Sequence, residues 1–444
     1  MGHVTSKSYL SLQKRLDMHG QGVPASETLF RILEHLFTEQ EASFVSQLPL
    51  NFFTLDQAVR ITGKTEAEAA AILDGLADKA ILVDVESAQT KAYIVSPPMA
   101  GFFEFSLMRT DGKFDRQLLS HLFYQYINQE DEFMFQAIGM DSHIIRTFVH
   151  EDMIEKDGLT MVLDYEKASH VIESASCITL GTCYCRHKME HVGKACEFPQ
   201  DVCMTFNTLA TSLSKHGVAR EIAKGQALDI LHRCMSLGLV QLGDNVQEGV
   251  NFMCHCCGCC CEALTNYERL RFAPKFASNF TATIREPSCT GCGICERKCP
   301  VKAVTIATHH GRRVAEINRE ICIGCGVCKR FCPRQSIELE RLKALRFVPK
   351  DSFERHLVFN IERGCLENLI LDNLEFWGHQ QVRALLKAIL TSAPVKKALL
   401  NHRIRSRFIN LIIHHTGKYD LYDRLFNDGR KVDYSHPELR QHPS

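Results

Sequence analysis

Hydrophobic positions near the start of the chain recur at helical spacing. Leu29, Ile32, Leu33 and Leu36 fall on one face of a helix, and Ser26 stands at the position of its N-cap. The pattern predicts an amphipathic helix that begins after Ser26. The preceding residues are mainly polar, and we expect them to be loosely held.

Two further helix starts carry the pairing of side chains called a capping box. In this arrangement a Thr side chain and a Gln or Glu three residues later each bond the other's backbone N–H. Thr54 with Gln57 opens one helix, and Thr65 with Glu68 opens the next. Alternating apolar positions over residues 81–96 then predict two strands joined by a polar turn.

Three helices followed by a two-stranded wing resemble a winged-helix domain, which we assign to residues 1–97. The helix that would enter DNA, residues 67–80, is acidic and contains no arginine. It is therefore poorly equipped to contact phosphates or guanine edges. We favour a docking or dimerisation scaffold over a nucleic-acid partner, and this role is compatible with a homo-oligomer.

The overall charge adds no strong preference for a partner. The chain of 444 residues has 52 Lys and Arg against 52 Asp and Glu, so its net charge favours neither nucleic acid nor an acidic surface. Residues 98–170 carry aromatic side chains at a spacing typical of a core, and they are predicted to form a helical connector. We expect neither an export signal nor a transmembrane helix, because we find no apolar run of the required length.

The cysteines are strongly clustered. Twenty of the 21 lie between Cys177 and Cys332, and Cys365 follows. Neighbours such as Cys256 and Cys257 do not form disulfides with good geometry. The clustering instead indicates thiolates that bind metal in a reducing compartment, and we expect the cytoplasm.

The pattern C-x2-C-x2-C-x3-C-P occurs twice within residues 289–333, as CTGCGICERKCP and CIGCGVCKRFCP. Short gaps let a tight loop wrap three thiolates around one iron–sulfur cube, and the glycines let backbone approach sulfur closely. Zinc needs four ligands and has no use for a doubled run of eight cysteines. The spacing therefore predicts two [4Fe–4S] clusters.

Residues 280–340 resemble the two-[4Fe–4S] bacterial ferredoxins, and we assign residues 270–345 to this domain. The resemblance implies that three thiolates of each run bind one cluster and that the fourth crosses to the other. The implied ligands are Cys289, Cys292, Cys295 and Cys332 for cluster I, and Cys322, Cys325, Cys328 and Cys299 for cluster II. More widely, residues 26–345 look like a loosely characterised group of ferredoxin-domain proteins from anaerobic prokaryotes, which implies electron carriage without an established substrate.

Residues 171–269 form a second module rich in cysteine. Three interpretations stay open: one or two further Fe–S clusters, structural zinc, or a thiol-redox site. Three histidines, His187, His191 and His255, are either cluster ligands or ordinary hydrogen-bonding residues. The candidate metal ligands are Cys183, Cys185, Cys196, Cys203, Cys254, Cys256, Cys257, Cys259, Cys260 and Cys261.

The cysteines of residues 254–261 point to two sides in either regular conformation. A helix would group Cys254, Cys257 and Cys261 on one face. A strand would instead group Cys257, Cys259 and Cys261. We therefore expect two metal centres, or one centre with free reactive thiols, which the upstream cysteines complete. Cys234 lies on the apolar stripe of a predicted helix and is expected to be core.

Residues 346–444 are predicted to be helical and basic, with no Asp or Glu between residues 376 and 418. This face is either the solvated side of a packed helix, a docking surface for an acidic redox partner, or a peripheral contact with an anionic membrane. The apolar positions of one face are Leu400, Ile404, Phe408 and Leu411. The basic residues are Arg383, Lys387, Lys396, Lys397, Arg403, Arg405, Arg407 and Lys418.

The predicted fold class is α+β and multidomain, with a winged-helix-like domain, a Cys-rich α/β module, a dicluster ferredoxin fold and an α-helical C-terminal region. The predicted function is to relay single electrons to or from a partner redox enzyme. We find no G-x-G-x-x-G loop after a predicted strand, so substrate chemistry would lie in the partner. The alternatives are an oxidoreductase subunit with a catalytic cluster or thiol site at Cys254–Cys261, and a redox-sensing DNA-binding regulator.

Overall fold

The structure is a computed structural model, and the residues it describes are 5–87, 90–138, 143–154, 162–270, 276–309, 311–372, 379–401, 404–405 and 408. They form two compact units. The first unit comprises the described residues of 1–25, 37–98 and 356–444, and the second comprises those of 26–36 and 99–355. This grouping differs from the predicted succession of domains, because the helix after Ser26 belongs to the second unit.

Helices occur in both units. In chain order they are α1 (Lys7–Asp17), α2 (Glu27–Leu36), α3 (Glu39–Val45), α4 (Leu55–Thr62), α5 (Glu66–Asp78), α6 (Phe103–Met108), α7 (Arg116–Asn128), α8 (Asp131–Ile138), α9 (Ala168–Ser174), α10 (Tyr184–His191), α11 (Asn207–Lys215), α12 (Lys224–Leu237), α13 (Glu262–Leu270), α14 (Ile294–Lys298), α15 (Val327–Arg330), α16 (Ser352–Arg363), α17 (Leu366–Ile370), α18 (His379–Thr391) and α19 (Ala393–Leu400).

The strands of the described residues form three two-stranded sheets and one six-stranded sheet. In chain order they are β1 (Leu82–Ser87), β2 (Thr90–Val95), β3 (Ile145–Phe148), β4 (Ile178–Thr182), β5 (Asp201–Phe206), β6 (Arg220–Glu221), β7 (Val240–Asp244), β8 (Phe252–Cys256), β9 (Phe280–Ile284), β10 (Val304–His309), β11 (Arg312–Ile317) and β12 (Ile337–Arg341).

The first unit contains the capped helices and the hairpin expected from the sequence. The Thr54 and Thr65 side chains accept hydrogen bonds from the backbone N–H groups of Gln57 and Glu68, so both capping boxes form. Strands β1 and β2 pair antiparallel in the predicted region. The winged-helix interpretation stays a prediction, since α2, its expected first helix, lies in the second unit.

The expectation of a loosely held N-terminal segment is wrong for residues 7–17, which form α1. Leu12 and Leu16 of this helix are fully buried. The Tyr9 hydroxyl donates to the Phe37 carbonyl oxygen at 2.9 Å. The polar composition of the segment concealed an apolar stripe with helical spacing, and burial of that stripe fixes the helix.

Helices α17 to α19 continue the helical C-terminal region. Cys365 is buried, its thiol donates to Asn360 Oδ1 at 3.1 Å, and burial raises its pKa to about 11. No helix within the described ranges is long and apolar enough to cross a membrane.

The predicted basic face lies partly outside the described residues, namely at Arg403, Arg407, Leu411 and Lys418.

The second unit is built around an antiparallel sheet with the strand order β3-β7-β8-β5-β4-β6. Helices α9 and α12 contribute Ile172 and Leu231 to the core on which Leu180 and Met204 of the strands pack. The predicted helical connector also contributes strand β3, because residues Ile145–Phe148 pair with the neighbouring strand β7.

Helix α12 ends as the sequence indicates. Gly238 caps it in the left-handed conformation with a φ of 83°, and Cys234 is fully buried. Cys234 is therefore a core residue.

Two pairs of strands hold the loops of the doubled cysteine motif. Strand β9 pairs with β12, and β10 pairs with β11. Each loop leads into a short helix after a glycine with positive φ, α14 after Gly293 and α15 after Gly326. The two loops thus share one local arrangement, in which a glycine with positive φ precedes a short helix.

Candidate metal centres

A small cavity opens between the two loops of the doubled motif. Its cysteine lining consists of Cys289, Cys292, Cys295 and Cys332. The backbone N–H of Ala315 donates to Cys289 Sγ at 3.4 Å, and that of Ser336 donates to Cys332 Sγ at 3.3 Å. The structure therefore brings the fourth cysteine of the second run to the first three of the first run.

The remaining four cysteines of the motif also lie near one another. Burial raises the pKa of Cys325 and of Cys328, and negative charge on Cys299 and Cys322 raises both further. The backbone N–H of Ala303 donates to Cys299 Sγ at 3.2 Å. Cys299 of the first run thus lies beside the three leading cysteines of the second run.

Upstream, six cysteines line one cavity, and we call them the six-thiol ring. Its members in order around the ring are Cys183, Cys185, Cys261, Cys256, Cys254 and Cys203. The neighbouring thiols lower the pKa of Cys183 and of Cys261, and they lower the pKa of Cys254 to about 6. The same interactions between neighbouring thiols raise the pKa of Cys185, Cys203 and Cys256. Six thiols that line one cavity supply the donor atoms that a metal centre requires.

The remaining cysteines of the module form a second group, which we call the four-thiol set. It consists of Cys196, Cys257, Cys259 and Cys260, whose sulfur atoms all lie within 4.8 Å of one another. All ten candidate ligands of the Cys-rich module therefore fall into one of the two groups.

The two groups agree with the expectation that the thiols of residues 254–261 diverge, but their membership differs from both regular patterns. Strand β8 ends at Cys256, and the next residues form a turn before α13. The turn sends Cys257 to the four-thiol set and returns Cys261 to the six-thiol ring. Neither the helical nor the extended grouping is therefore correct, because the segment is a strand followed by a turn.

Arg186 supplies a buried positive charge beside these groups, and sequence reasoning did not identify it. Its guanidinium donates to the carbonyl oxygens of Pro199 at 2.8 Å and His255 at 2.7 Å. Burial opposes its charge, yet the thiolates of Cys183 and Cys257 raise the pKa of Arg186 above its usual value. The signal available in the sequence was its position directly after Cys185 in the run CYCR.

A buried ion pair links the elements that carry the ring. Lys188 of α10 is fully buried and bonds Glu262 of α13 and the side chain of Asn128. Glu262 directly follows Cys261, and Lys188 lies one helical turn after Cys185. The pair therefore fixes α10 against the start of α13, where both supply thiols to the ring.

The six-thiol ring borders a cavity of about 120 Å³ that is lined mainly by apolar side chains such as Phe105, Met108 and Leu242. Glu104 also lines this cavity, and burial raises its pKa to about 7. The cavity offers space for a small molecule next to the thiols.

The three histidines considered as possible ligands are His187, His191 and His255, and each makes a hydrogen-bond contact. His187 Nδ1 lies 2.7 Å from the Leu107 carbonyl oxygen, and His191 Nε2 lies 3.2 Å from His187 Nε2. His255 Nδ1 lies 3.3 Å from the Gln241 amide nitrogen. These contacts favour the hydrogen-bonding interpretation for His187 and His191, whereas His255 Nε2 is buried without a hydrogen-bond partner among the described residues.

One of the two cysteine-rich modules matches a known family. Residues 288–336 match the 4Fe-4S dicluster domain family. The chain contains a ferredoxin-type domain. The match spans the whole doubled motif and leaves the upstream module outside it. No curated protein matches the chain.

The ferredoxin-type domain offers a suitable environment for Fe–S clusters. Burial raises the pKa of Cys295 to about 11, so this thiol would keep its proton at neutral pH unless a cation displaced it. Backbone N–H groups already point at the sulfur atoms of Cys289, Cys299 and Cys332. Such donors stabilise negative sulfur and tune the reduction potential of a cluster. The donor set and its surroundings therefore fit iron–sulfur ligation.

The Cys-rich module packs directly against the ferredoxin-type domain within the second unit. A Cβ atom on Gly258 would lie 2.4 Å from the Pro300 carbonyl oxygen, so the two backbones touch there. Cys256 and Cys261 of the ring share one apolar core with Cys325. The ring and the predicted cluster II site therefore border the same apolar core.

Two glycines let the loops of the ferredoxin-type domain lie against neighbouring backbone. A Cβ atom on Gly324 would lie 2.0 Å from the Phe280 carbonyl oxygen. One on Gly291 would lie 2.5 Å from that of Arg313. Both glycines also have positive φ values, which other residues adopt at a cost.

The Gly324→Ala variant should lose more than about 2 kcal/mol of unfolding free energy, because its methyl group would collide with backbone as well as strain φ. It should also bind less iron. Gly249→Ala is the matched control, since Gly249 has a φ of +64° but open space around it. This control should cost only about 1–2 kcal/mol. Anaerobic urea unfolding and iron analysis of both variants check the expectation, and equal losses would contradict it.

Proposed function

We propose that this chain is an iron–sulfur electron-transfer protein that relays single electrons through two [4Fe–4S] clusters of its ferredoxin-type domain. The observation that carries the proposal is the cavity lined by three cysteines of the first run and Cys332 of the second. This is the crossed ligand set that two adjacent clusters require. We also infer the dicluster ferredoxin fold for this domain, and a winged-helix-like docking scaffold within residues 1–97.

A bound [4Fe–4S] cluster supplies reversible one-electron chemistry, and the protein controls its exposure and potential. Val304, Val314 and Leu339 are buried in the core that contains the cluster cysteines, and they would exclude water from the clusters. Cys292, in contrast, is exposed. We therefore propose the edge around Cys292 as the point of exchange with a partner redox protein.

The six-thiol ring is proposed as a further Fe–S centre that extends the electron path. Its thiols outnumber the four that one cube requires, and Arg186 offsets part of their negative charge. The ring also shares an apolar core with Cys325 of the proposed cluster II. Electrons would then pass from the Cys292 edge through clusters I and II towards the ring, or in the opposite direction.

A second candidate function is an oxidoreductase subunit whose substrate site lies at the ring. The cavity bordered by Cys254, Cys256 and Glu104 favours this alternative. Glu104, with its raised pKa, could hold a proton at neutral pH beside a centre that supplies electrons. All six ring cysteines line this cavity, so a cluster held by the ring would occupy part of it. Turnover of a substrate therefore separates the two functions.

Anaerobic reconstitution of the full chain with iron and sulfide tests the proposal. We expect about eight iron atoms from the ferredoxin-type domain and about four more if the ring holds one cube. Reduction should give EPR signals of two interacting clusters, and an artificial acceptor should reoxidise them. Zinc bound in place of iron by the doubled motif would refute the proposal. Reduction of a small molecule, lost in Cys254→Ser, would favour the enzyme.

A further inference from the structure

The four-thiol set has the geometry of a site for a single metal ion. All four sulfur atoms lie within 4.8 Å of one another. The Sγ atoms of Cys196 and Cys257 are 3.8 Å apart, and so are those of Cys259 and Cys260. Four sulfurs placed tetrahedrally at about 2.3 Å from one ion are themselves about 3.8 Å apart. Two of the six sulfur–sulfur distances match this value, and the others are within 4.8 Å, so the set is compact enough to surround one ion.

The set is less suited to a [4Fe–4S] cube. In a cube each thiolate binds a different iron atom, so the four sulfurs lie farther apart than they do around one ion. Here three of the four ligands come from residues 257–260, and Cys259 directly precedes Cys260. Because consecutive Cα atoms are only about 3.8 Å apart, this turn holds its sulfurs close together.

We propose that Cys196, Cys257, Cys259 and Cys260 bind one Zn²⁺ ion with a structural role. Four thiolates around zinc form a closed tetrahedral site of the kind that stabilises a fold. This proposal goes beyond the electron-transfer function and does not depend on it, because it concerns different cysteines from those of the ferredoxin-type domain and the six-thiol ring.

The position of the site in the chain explains what the ion would do. Cys196 lies in the segment between α10 and β5, and residues 257–260 form the turn between β8 and α13. The same two segments adjoin Cys185 of α10 and Cys256 of β8, which belong to the ring. Zinc would hold the two segments together. It would thereby fix the ring, whose cysteines lie in the elements that adjoin these segments.

The site also lies at the junction with the ferredoxin-type domain. Gly258 stands between two of the ligands, and its backbone touches the Pro300 carbonyl group. Cys259 is exposed whereas Cys257 and Cys260 are buried, so the ion would be reached from one side. Zinc has no redox chemistry and would therefore hold this junction without entering the electron path.

Metal analysis of the full chain, purified anaerobically, tests the proposal. We expect one zinc ion per chain, loss of that zinc in Cys259→Ser, and an unchanged iron content. Cys177→Ser is the matched control, because Cys177 belongs to neither thiol group, and it should retain its zinc. Cobalt substitution of the unmodified chain provides a second measurement that requires no variant. Intense thiolate-to-cobalt absorption with tetrahedral ligand-field bands is expected.

Each contrary outcome has a distinct meaning. Loss of about four iron atoms in Cys259→Ser would overturn the proposal in favour of a cluster. One iron ion in place of zinc would overturn the choice of ion. If Cys259→Ser retained its zinc, or if the cobalt-substituted chain showed octahedral bands, the proposed four-cysteine ligand set would be wrong. None of these outcomes changes the iron content of the ferredoxin-type domain, so a failure here is distinguishable from failure of the electron-transfer proposal.

Discussion

The Cys332→Ser variant is expected to lose cluster I, and with it about four iron atoms per chain, while cluster II is retained. Cys332 lines the same cavity as the three leading cysteines of the first run. Its removal leaves that cavity with three thiols, and a serine hydroxyl is a harder and less acidic ligand for iron. Iron and sulfide analysis after anaerobic reconstitution measures the loss, and EPR of the reduced protein should then show one cluster of the domain without its interacting neighbour.

Double variants test whether the ligands cross between the two runs. Adding Cys289→Ser to Cys332→Ser should cause no further loss of iron, because both residues would serve one cluster. Adding Cys322→Ser should instead remove a second set of about four iron atoms. Cys365→Ser is the control with unchanged iron, since Cys365 is buried among helices of the first unit. If Cys289→Ser instead caused a further loss of iron and Cys322→Ser caused none, each run would bind its own cluster.

The Glu262→Ala variant is expected to lose about 3–5 kcal/mol of unfolding free energy, because it leaves the Lys188 ammonium group buried without its carboxylate. Lys188 is fully buried and Glu262 nearly so. The variant should also weaken metal binding by the six-thiol ring, since Cys261 precedes the altered residue. Anaerobic urea unfolding measures the stability, and metal analysis measures the ring.

Two controls distinguish the buried pair from a general effect of charge. Replacing both partners, as Lys188→Met with Glu262→Leu, should recover much of the loss because no buried charge remains. Asp164→Ala breaks the pair between Asp164 and Lys167, whose side chains are 72% and 37% exposed, and should change stability by less than about 1 kcal/mol. A similar loss in Glu262→Ala and Asp164→Ala would contradict the role given to the buried pair.

The Cys-rich turn illustrates why some predictions succeeded only in part. The expectation that residues 254–261 send thiols to two sides follows from any regular backbone. The assignment of each thiol to a side depends on where β8 stops, and this is set by pairing with β7 and β5. Because Cys256 is still paired and Cys257 is not, the grouping changes between these adjacent residues.

Local features could be predicted from the sequence alone. The capping boxes at Thr54 and Thr65, the end of α12 at Gly238 and the core position of Cys234 depend on interactions within a few residues. The doubled motif is local in the same sense, because short cysteine spacings and glycines define each loop before any distant contact forms. The family match to residues 288–336 agrees with that local signal.

Only the tertiary structure decided the arrangement of the upstream thiols. The six-thiol ring takes Cys185 from α10, Cys203 from β5, Cys256 from β8 and Cys261 from the start of α13. Pairing between β5 and β8 brings two of these segments together across about fifty residues of chain, and hydrophobic periodicity contains no information on which strands pair. The buried positions of Arg186 and Lys188 arise for the same reason, since their charges become partners of thiolates and of Glu262 only when those segments have packed.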